Sequence, residues 1–341
     1  MQRTNEHHLP QFLMKGFASG VRGDSVNTWW FRKGSEPLEC NIKNIATEKD
    51  FHSSVTGSSA DDRIKPLEDQ FGWYVDALRQ QPKDCQLDDP VVPELIANLS
   101  VRTKAFRQEM VRTVVMAMRE VIARLRDPER MNTFASKVLR EPSYRIFREL
   151  AKYSPDYADA LIEQLANNPD FFRSPIVSLL AKTRLDKVER SFETEFVQAA
   201  KESHVHALSR DPVPTTIIEA LAHLHWHVVA RGRGTFILGE VGPVFKIENR
   251  NAAKAVPIGL FQYDAAFLPI SDTHLLAGFE DRNFLNLSED QINRFSSSCS
   301  PNFFIAAFNR TRERDYSLQI GLNPNLLDQE MVTTIADLLL S

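Results

Sequence analysis

Hydrophobic residues come in short blocks through the first quarter of the chain. Residues 26–32 (VNTWWFR) are β-branched and aromatic, and KGSE at 33–36 is typical of a hairpin turn before a second apolar segment at 38–42. A small, polar stretch follows Phe51, and from 64 to 78 the apolar residues recur every three or four positions. The pattern predicts a β-hairpin, a loop and then a helix.

The middle of the chain has the spacing of amphipathic helices and contains no glycine between residues 94 and 208. Its strongest apolar stripe runs from Glu94 to Arg126, just before Asp127-Pro128. This stripe predicts one long helix, preceded by a connector rich in Pro and Asp at 80–93. Further helices are predicted at 131–139, 143–153, 155–165 and 176–208.

Short apolar segments bounded by turn residues return after residue 215. Residues 224–229 alternate along a predicted strand, and RGRG at 231–234 predicts a turn before TFILG. We expect a small, mostly antiparallel sheet over residues 224–280 and a capped helix that begins at Ser288. Other predicted elements are strands at 244–247, 265–270, 274–277 and 316–320, the end of a helix at 217–222 and a closing helix at 325–340.

These elements predict an α+β fold. The expected divisions are an N-terminal hairpin and helix segment at 1–90, a helical region at 91–210 and a C-terminal α+β region at 211–341. A lone hairpin is only marginally stable in water, and the aromatic residues at 29–31 need cover. We therefore expect the N-terminal segment to pack against the C-terminal sheet.

Composition narrows the class of protein. The 341 residues are 43% hydrophobic and 25% charged with a formal net charge of -4, which excludes a disordered chain and a uniformly basic nucleic-acid coat. Cys40, Cys85 and Cys299 are far apart, so neither a disulfide framework nor a thiolate zinc site is expected, and a reducing compartment fits. No long uncharged apolar run and no apolar leader is present. We expect a cytoplasmic location and no membrane partner.

The run EHHLPQF near the amino end carries the first candidate chemistry. Pro10 suits the first position of a helix that stops at Gly16, which places His7 and His8 just before the helix N-terminus. The positive end of the helix dipole favours a neutral imidazole, which can act as a general base, a metal ligand or a hydrogen-bond donor to phosphate. In the alternative interpretation, one imidazole is solvated and the other is a hydrogen-bonded packing residue.

A second group of histidines lies on a predicted strand. His225 and His227 share one strand face and could bind one metal ion, but a third ligand such as Glu219, Asp264 or Asp272 would have to come from elsewhere in the fold. A polar strand face is the favoured interpretation. We expect no tightly bound cofactor or metal, although a weak Mg²⁺ that uses one or two carboxylates and a substrate phosphate would leave no spacing signature.

A basic stripe lies on the long predicted helix. Arg112, Arg119 and Arg126 recur every seven residues, opposite the apolar stripe. Such a stripe could contact the phosphates of a nucleic acid or a nucleotide. An amphipathic helix also needs a charged solvent face, and this plainer interpretation is favoured.

Acidic residues at turns complete the candidate chemistry. Glu240, Asp264 and Asp272 lie beside predicted strands, where the carboxylates of a metal-dependent nuclease could converge. The chain contains no GxSxG, GxxxxGK[ST], HExxH or dinucleotide-binding glycine motif. Their absence from the sequence removes the commonest hydrolase, NTPase, zincin and Rossmann-fold classes.

Seven segments spread along the chain form a recognisable set. NEHHLPQFLMKGF at the start, IKNIATEKDFHS at 42–53 and NLSVRTKAFRQ at 98–108 are followed in order by HWHVV, FILGEVGPVF, PIGL and FLPIS. Together they resemble the domain of unknown function 4238 family, whose members are mostly bacterial, from His7 to about Asn309. The most specific part is His-His-x-Pro-Gln followed by an apolar run. The resemblance implies no established activity, and it directs attention to His7, His8, Pro10, Gln11 and Arg102.

Two positions depart from the family pattern. The family often has a Tyr after the Phe where this chain has His52, and a Ser-Asp-Asn-Pro-like turn where this chain has Gly239–Pro243. Glu240 therefore stands near the place of that turn's Asp, and the resemblance carries no function onto it.

The leading functional hypothesis is an enzyme, a hydrolase or nuclease acting on phosphodiester or nucleotide substrates. His7 or His8 would be the acid/base, and Gln11 would position an oxygen. Arg102 would neutralise a phosphate, and Asp272 would orient a histidine or a metal. The alternative is a non-catalytic interaction protein, in which the HHLPQF segment is structural and the apolar C-terminal strands bind a partner. The enzyme requires one of the two imidazoles to lie beside Arg102 or an acidic residue in a cleft.

Overall fold

The structure is a computed structural model of the chain. It describes residues 5–52, 60–127, 129–131, 133, 199–248, 251–255, 263–280, 287–323, 332–334 and 336–337. The helices predicted at 143–153 and 155–165 lie outside these residues, as do most of those at 131–139, 176–208 and 325–340. The chain splits into two compact units, a first unit of residues 1–110 and 199–326 and a second unit of residues 111–198 and 327–341.

The described elements are those of an α+β protein. The strands are β1 (Asn5–His7), β2 (Gly20–Arg22), β3 (Ser25–Arg32), β4 (Leu38–Asn41), β5 (Thr47–Lys49), β6 (Cys85–Leu87), β7 (His225–Ala230), β8 (Leu238–Gly239), β9 (Val244–Ile247), β10 (Ala253–Lys254), β11 (Tyr263–Pro269), β12 (His274–Phe279) and β13 (Phe303–Ala306). The helices are α1 (Gln11–Met14), α2 (Asp61–Leu78), α3 (Val91–Val101), α4 (Lys104–Leu125), α5 (Thr215–Leu221), α6 (Glu289–Cys299) and α7 (Thr311–Ser317), with 3-10 turns at Lys15–Phe17 and Ile42–Asn44. Residues 199–210 are also helical.

Antiparallel sheets organise the first unit. One sheet has the order β10-β9-β11-β12-β7-β6, another has the order β2-β3-β13-β8 with β4 also paired to β3, and β1 pairs with β5. Between β3 and β13, Trp30 lies opposite Ile305 and Phe31 lies opposite Phe304, with the two phenylalanine rings stacked at 4.7 Å. The N-terminal hairpin and the C-terminal strand β13 therefore belong to one sheet.

Several predicted elements are confirmed. The hairpin is β3 and β4, and its turn contains Gly34 in the left-handed conformation. The helix predicted at 64–78 lies within α2, and the sheet predicted over 224–280 is antiparallel. Ser288 caps α6, because its Oγ accepts a hydrogen bond from Gln291 N while Gln291 Oε1 accepts one from Ser288 N.

The single long helix predicted over 94–126 is wrong. The segment forms two helices, α3 and α4, that are separated by Arg102 and Thr103. Thr103 Oγ1 accepts a hydrogen bond from Phe106 N at 3.1 Å, whereas in a continuous helix that amide would bond to Arg102 O. This local cap ends the helical register without any glycine or proline to mark the place.

The strand predicted at 316–320 is also wrong, because α7 occupies the start of the segment. The Glu313 carboxylate accepts a hydrogen bond from Arg310 N at the first turn of α7. Tyr316 and Ile320 are four residues apart and pack into one cluster with the aromatic residues of the β3–β13 pair. Side chains four residues apart lie on one face of a helical segment, which is how both residues reach this cluster.

The TFILG segment forms a strand only at its last two residues, and this strand, β8, pairs with β13 rather than with β7. The backbone before β8 forms hydrogen bonds with the side chain of Asn293 instead. The Asn293 amide donates to Thr235 O at 2.7 Å and accepts from Ile237 N at 3.1 Å. Strand β7 lies instead between β12 and β6. Strand β6 comes from the segment at 80–93 that was predicted to be a connector.

Close contacts fix α1 at the amino end of the first unit. Arg79, just after α2, donates hydrogen bonds to Phe12 O, Leu13 O and Ile270 O. Gly16 approaches the same place so closely that a Cβ atom there would lie 2.3 Å from Ile270 O. Helix α1 is therefore held between α2 and the end of β11.

Strand β5, the partner of β1, lies between two residues with unusual backbone angles. Ala46 and Asp50 have φ angles of 56° and 52°, in the left-handed region that costs a non-glycine residue on the order of 1 kcal/mol. His8 N donates a hydrogen bond to Ala46 O at 2.9 Å, which helps to hold this conformation. The strained segment therefore borders the histidine pair.

In the second unit, Val121 and Leu125 of α4 pack with Ala336 and Met131. None of the helices in the described part of the chain is long and apolar enough to cross a bilayer.

Candidate functional site

A cleft of about 330 Å³ opens beside β1 and α1 in the first unit. We call it the N-terminal cleft. Its walls come from β1, α1, the start and middle of α2, and the junction between α3 and α4, and most of its side chains are polar or charged. The lining residues are Glu6, His7, Gln11, Phe12, His52, Asp61, Ile64, Glu68, Asp69 and Arg102.

His7 has a defined tautomer in the N-terminal cleft. Its Nδ1 lies 3.1 Å from Ile45 O, and because a carbonyl can only accept, Nδ1 carries the hydrogen. Its Nε2 then accepts a hydrogen bond from Gln11 Nε2 at 2.8 Å. Burial lowers the pKa of His7 below its ordinary value, so the neutral imidazole dominates at neutral pH. A neutral imidazole can act as a general base through Nε2 when the Gln11 amide leaves that atom.

Arg102 lies at the junction between α3 and α4 and is 1% exposed. Its Nη2 donates to His7 O at 3.2 Å and to Glu68 Oε1 at 2.6 Å. Its Nε and Nη1 are buried and have no hydrogen-bond partner among the described residues. The arginine therefore joins β1 to α2 and places a fixed positive charge in the lining of the cleft.

His52 is 2% exposed and completes one wall. Its Nε2 lies 3.4 Å from His7 O, so it carries the hydrogen, and its backbone N donates to Glu6 Oε2. Burial, followed by the positive charge of Arg102, lowers the pKa of His52 to about 2. His52 is therefore neutral at every physiological pH, and its Nδ1 has no hydrogen-bond partner in the described part of the chain.

Asp61, Ile64 and Glu68 lie three and four residues apart on one face of α2, which turns them toward the N-terminal cleft. Desolvation, together with the negative charges of Glu6 and Glu68, raises the pKa of Asp61 above its ordinary value. The cleft therefore brings together a histidine that favours its neutral form and a carboxyl group that retains its proton more strongly than usual. Pairs whose environments push their pKa values in such directions are typical of acid/base sites.

Comparison with known proteins assigns the family. The family model for a protein of unknown function (DUF4238) matches residues 5–335. The chain belongs to this family. No curated protein and no solved structure matches it. The DUF4238 match includes every residue of the N-terminal cleft.

Three of the five residues predicted to carry chemistry meet in this cleft of the DUF4238 chain. His7, Gln11 and Arg102 all line it, and hydrogen bonds connect His7 to both of the others. The bond from Arg102 reaches the backbone oxygen of His7, and the bond from Gln11 reaches its imidazole. Their catalytic roles remain a prediction.

His8 lies outside the lining of the cleft. His8 is 4% exposed. Its ring centroid lies 5.6 Å from the ring centroid of Phe51 and 6.4 Å from that of Phe303. Burial lowers the pKa of His8 to about 3, so the ring is neutral. In this DUF4238 protein, His8 is therefore a packing residue, whereas His7 lines the cleft.

The predicted acidic residues do not converge. Asp272 is outside the cleft lining and closes a turn, where its carboxylate accepts a hydrogen bond from Gly234 N at 3.0 Å. Glu240 is buried and accepts hydrogen bonds from the backbone at the start of β13. Asp264 forms an ion pair of 2.6 Å with Lys246. Each therefore has a local structural role in the DUF4238 chain, so the expectation that Asp272 orients a catalytic group has no geometric support.

Neither the second histidine group nor the basic stripe is part of the cleft. His225 and His227 lie on β7, and within the described residues no three His, Cys, Asp or Glu side chains form a group that could hold a metal ion. Arg112, Arg119 and Arg126 are exposed on the second-unit part of α4. Binding of nucleic acid by this stripe remains a prediction.

Sequence reasoning missed half of the cleft. Glu6 directly precedes the histidine pair, and Glu68 and Asp69 on the helix predicted at 64–78 could have indicated a polar face beside an apolar one. His52 stood out only as a departure from the family pattern. No local signal could show that these segments meet, because the cleft forms through contacts between β1, α2 and the α3–α4 junction. The missed residues of the DUF4238 cleft are Glu6, His52, Asp61, Glu68 and Asp69.

Proposed function

We propose that the N-terminal cleft is the active site of a hydrolase that acts on phosphodiester or nucleotide substrates. The observation that supports this most directly is the meeting of neutral His7, Gln11 and Arg102 with Asp61 in one cleft. In the proposed roles, His7 is the general base and Asp61 is the general acid. Gln11 positions the attacking water, and Arg102 supplies positive charge.

The proposed reaction conserves atoms and protons. His7 Nε2 takes a proton from a water molecule after the Gln11 amide moves from Nε2 to the water oxygen. That oxygen bonds to phosphorus, the bond from phosphorus to the leaving oxygen breaks, and the protonated Asp61 carboxyl donates its proton to the leaving oxygen. Solvent then removes the proton from His7 and restores the proton on Asp61.

Charge in the cleft defines how a phosphate would enter. Four acidic residues line the cleft, and its arginine is already paired with Glu68 at 2.6 Å. A bare phosphate would therefore be repelled. We propose that the substrate enters as its Mg²⁺ complex, in which the phosphate carries most of the metal's ligands and one or two cleft carboxylates complete them.

The decisive experiment compares turnover by the wild type, His7→Ala, Asp61→Asn and the control His206→Ala. His206 is exposed on the helix at 199–210, away from the cleft lining. With nucleotides and short oligonucleotides in Mg²⁺, we expect His7→Ala to lower kcat by about 100-fold or more and His206→Ala to leave it unchanged. EDTA should abolish turnover, and added Mg²⁺ should restore it. Absence of wild-type turnover, or equal kcat in all four proteins, contradicts the proposal.

The pH profile supplies a second criterion. Activity requires deprotonated His7, whose pKa is lowered, and protonated Asp61, whose pKa is raised, so kcat/KM should peak on the acidic side of neutrality. Asp61→Asn removes the titrating acid and should flatten the limb at higher pH. A profile that rises steadily to alkaline pH would exclude Asp61 as the acid.

A second candidate, a non-catalytic interaction protein, has one observation in its favour. Both ring nitrogens of His7 already have protein partners, and His8 is a packing residue. These contacts are expected if the HHLPQF segment anchors the amino end of the chain to the fold. In that case His7→Ala would lower thermal stability, and neither it nor the wild type would turn over any of the substrates.

A further inference from the structure

One large aromatic side chain beside the N-terminal cleft has no structural explanation. Trp73, on α2, is 77% exposed, whereas Trp226 is buried and Trp29 and Trp30 are partly buried in the first unit. Tryptophan buries most of its large apolar surface in folded proteins on average. An indole left so open contributes little to the stability of this fold, and a binding role would account for its exposure.

The position of Trp73 on α2 places it at the rim of the cleft. It follows Asp69 by four residues, about one helical turn, so the two side chains are neighbours on the helix surface. Its other neighbour, Gly72, lies against Phe12, since a Cβ atom at Gly72 would be 3.3 Å from Phe12 Cβ. Asp69 and Phe12 both line the N-terminal cleft. Because Asp69 lines the cleft and is the neighbour of Trp73 on the helix surface, Trp73 lies at the edge of this opening.

We propose that Trp73 binds the base of a nucleotide by stacking while the phosphate of that nucleotide lies in the N-terminal cleft. This inference rests on the proposed function and narrows its substrate class from phosphate esters in general to those that carry a nucleobase. A polar cleft with an aromatic rim matches a ligand with a charged end and a flat apolar end. Stacking on an indole tolerates any of the bases, because each has a π-face.

The dimensions agree with this assignment. Asp69 and Trp73 are four residues apart, roughly 6 Å along the axis of α2. A nucleotide separates its base from its 5′-phosphate by a single sugar, a span of the same order. A sugar phosphate has the same charged end but lacks the flat apolar group, so it provides a matched comparison ligand.

The test measures binding by the full chain in Mg²⁺, using adenosine 5′-monophosphate and ribose 5-phosphate as probes in titration calorimetry. The wild type should bind the nucleotide about tenfold more tightly than the sugar phosphate, within the range for stacking of one base. Trp73→Ala should remove this difference and leave the affinity for ribose 5-phosphate unchanged. Trp73→Phe should keep most of it. Leu318→Ala, which removes another exposed apolar side chain outside the cleft lining, should have no effect.

Fluorescence gives an independent readout. The nucleotide should quench emission in the wild type and not in Trp73→Phe, in which the other three tryptophans remain. Equal affinity of the wild type for the two probes, or an unchanged preference in Trp73→Ala, overturns the inference. A change from dimer to monomer in Trp73→Ala, with nucleotide affinity unaffected, also overturns it and assigns Trp73 to self-association.

Base stacking by Trp73 and hydrolysis that depends on His7 can be tested separately. If Trp73→Ala keeps the nucleotide preference while His7→Ala abolishes turnover, the stacking inference is wrong and the hydrolase proposal stands. If Trp73→Ala loses the preference while the wild type turns over none of the substrates, the binding site stands and the catalytic proposal is wrong.

Discussion

Arg102 connects three parts of the chain through one guanidinium group. Its side chain is 1% exposed, and it bonds to the backbone of β1 and to Glu68 on α2. A buried charge that loses its partner costs more than the pair contributes, because the remaining charge stays desolvated. Glu68 keeps 32% of its side-chain exposure, so solvent screens part of the interaction.

A double-mutant cycle on Arg102→Met and Glu68→Gln should therefore show coupling. We expect each single variant to lower the free energy of unfolding and the double variant to lose about 1–2 kcal/mol less than their sum. Urea denaturation measures all four values. The exposed pair Arg294 and Asp290, 46% and 49% exposed, is the control and should couple by roughly 0.5 kcal/mol or less. Additive effects at Arg102 and Glu68 would show that the ion pair does not fasten β1 to α2.

At the scale of elements, the short helix α1 depends on a close approach of backbones. Gly16 leaves no room for a side chain, because a Cβ atom would lie 2.3 Å from Ile270 O and 2.6 Å from Arg79 Nη2. A backbone carbonyl cannot move aside as a flexible side chain can. The position of α1, which lines the cleft, therefore depends on Gly16. The sequence pattern indicated this glycine only as the end of a helix.

Gly16→Ala should destabilise the protein by roughly 1–3 kcal/mol, as expected for overpacking. Gly20→Ala is the matched control, since no atom lies within 4 Å of a Cβ atom at that position. Thermal unfolding monitored by circular dichroism compares the two variants. Equal melting temperatures would mean that the end of α1 shifts away from Ile270 at little cost.

Periodicity predicted the elements whose own side chains determine their structure. The strand predicted at 26–32 and the helix predicted at 64–78 each have their apolar pattern within their own residues, and both are confirmed. The break between α3 and α4 depends on the Thr103 side chain. Strand β6 forms by pairing with β7, which is distant in the sequence. The same distinction applies to the cleft, because the histidine motif is local whereas three of the four acidic residues of the cleft come from α2. Local pattern contains no information about such tertiary partners.

At the scale of the whole molecule, buried imidazoles link stability to pH. His8, His52 and His204 have pKa values of about 3, 2 and 4, each lowered mainly by burial, against about 6.5 in an unfolded chain. Between those values the unfolded chain binds protons that the folded chain does not. The free energy of unfolding is therefore highest above pH 6.5 and falls as the pH drops below it.

Stability should decrease from pH 6.5 to pH 5 by about 1 kcal/mol per pH unit for each of these imidazoles. Urea midpoints measured in half-unit steps give the slope. His204→Gln should reduce the slope even if it also lowers stability at pH 7, and His206→Gln, at an exposed position on the same helical stretch, should not change it. A flat profile down to pH 5 would show that the three rings take up protons within the fold.

The position of β13 has a consequence for synthesis of the chain. Strand β3 is complete within the first 32 residues, but its partner β13 begins at residue 303. At about 5–20 residues per second, a ribosome needs on the order of tens of seconds to reach it. During that interval Trp29, Trp30 and Phe31 lie on a strand with one unpaired edge, which is a template for association with other chains. The nascent polypeptide therefore exposes this edge until β13 is synthesised, and a chain released before residue 303 would keep it open.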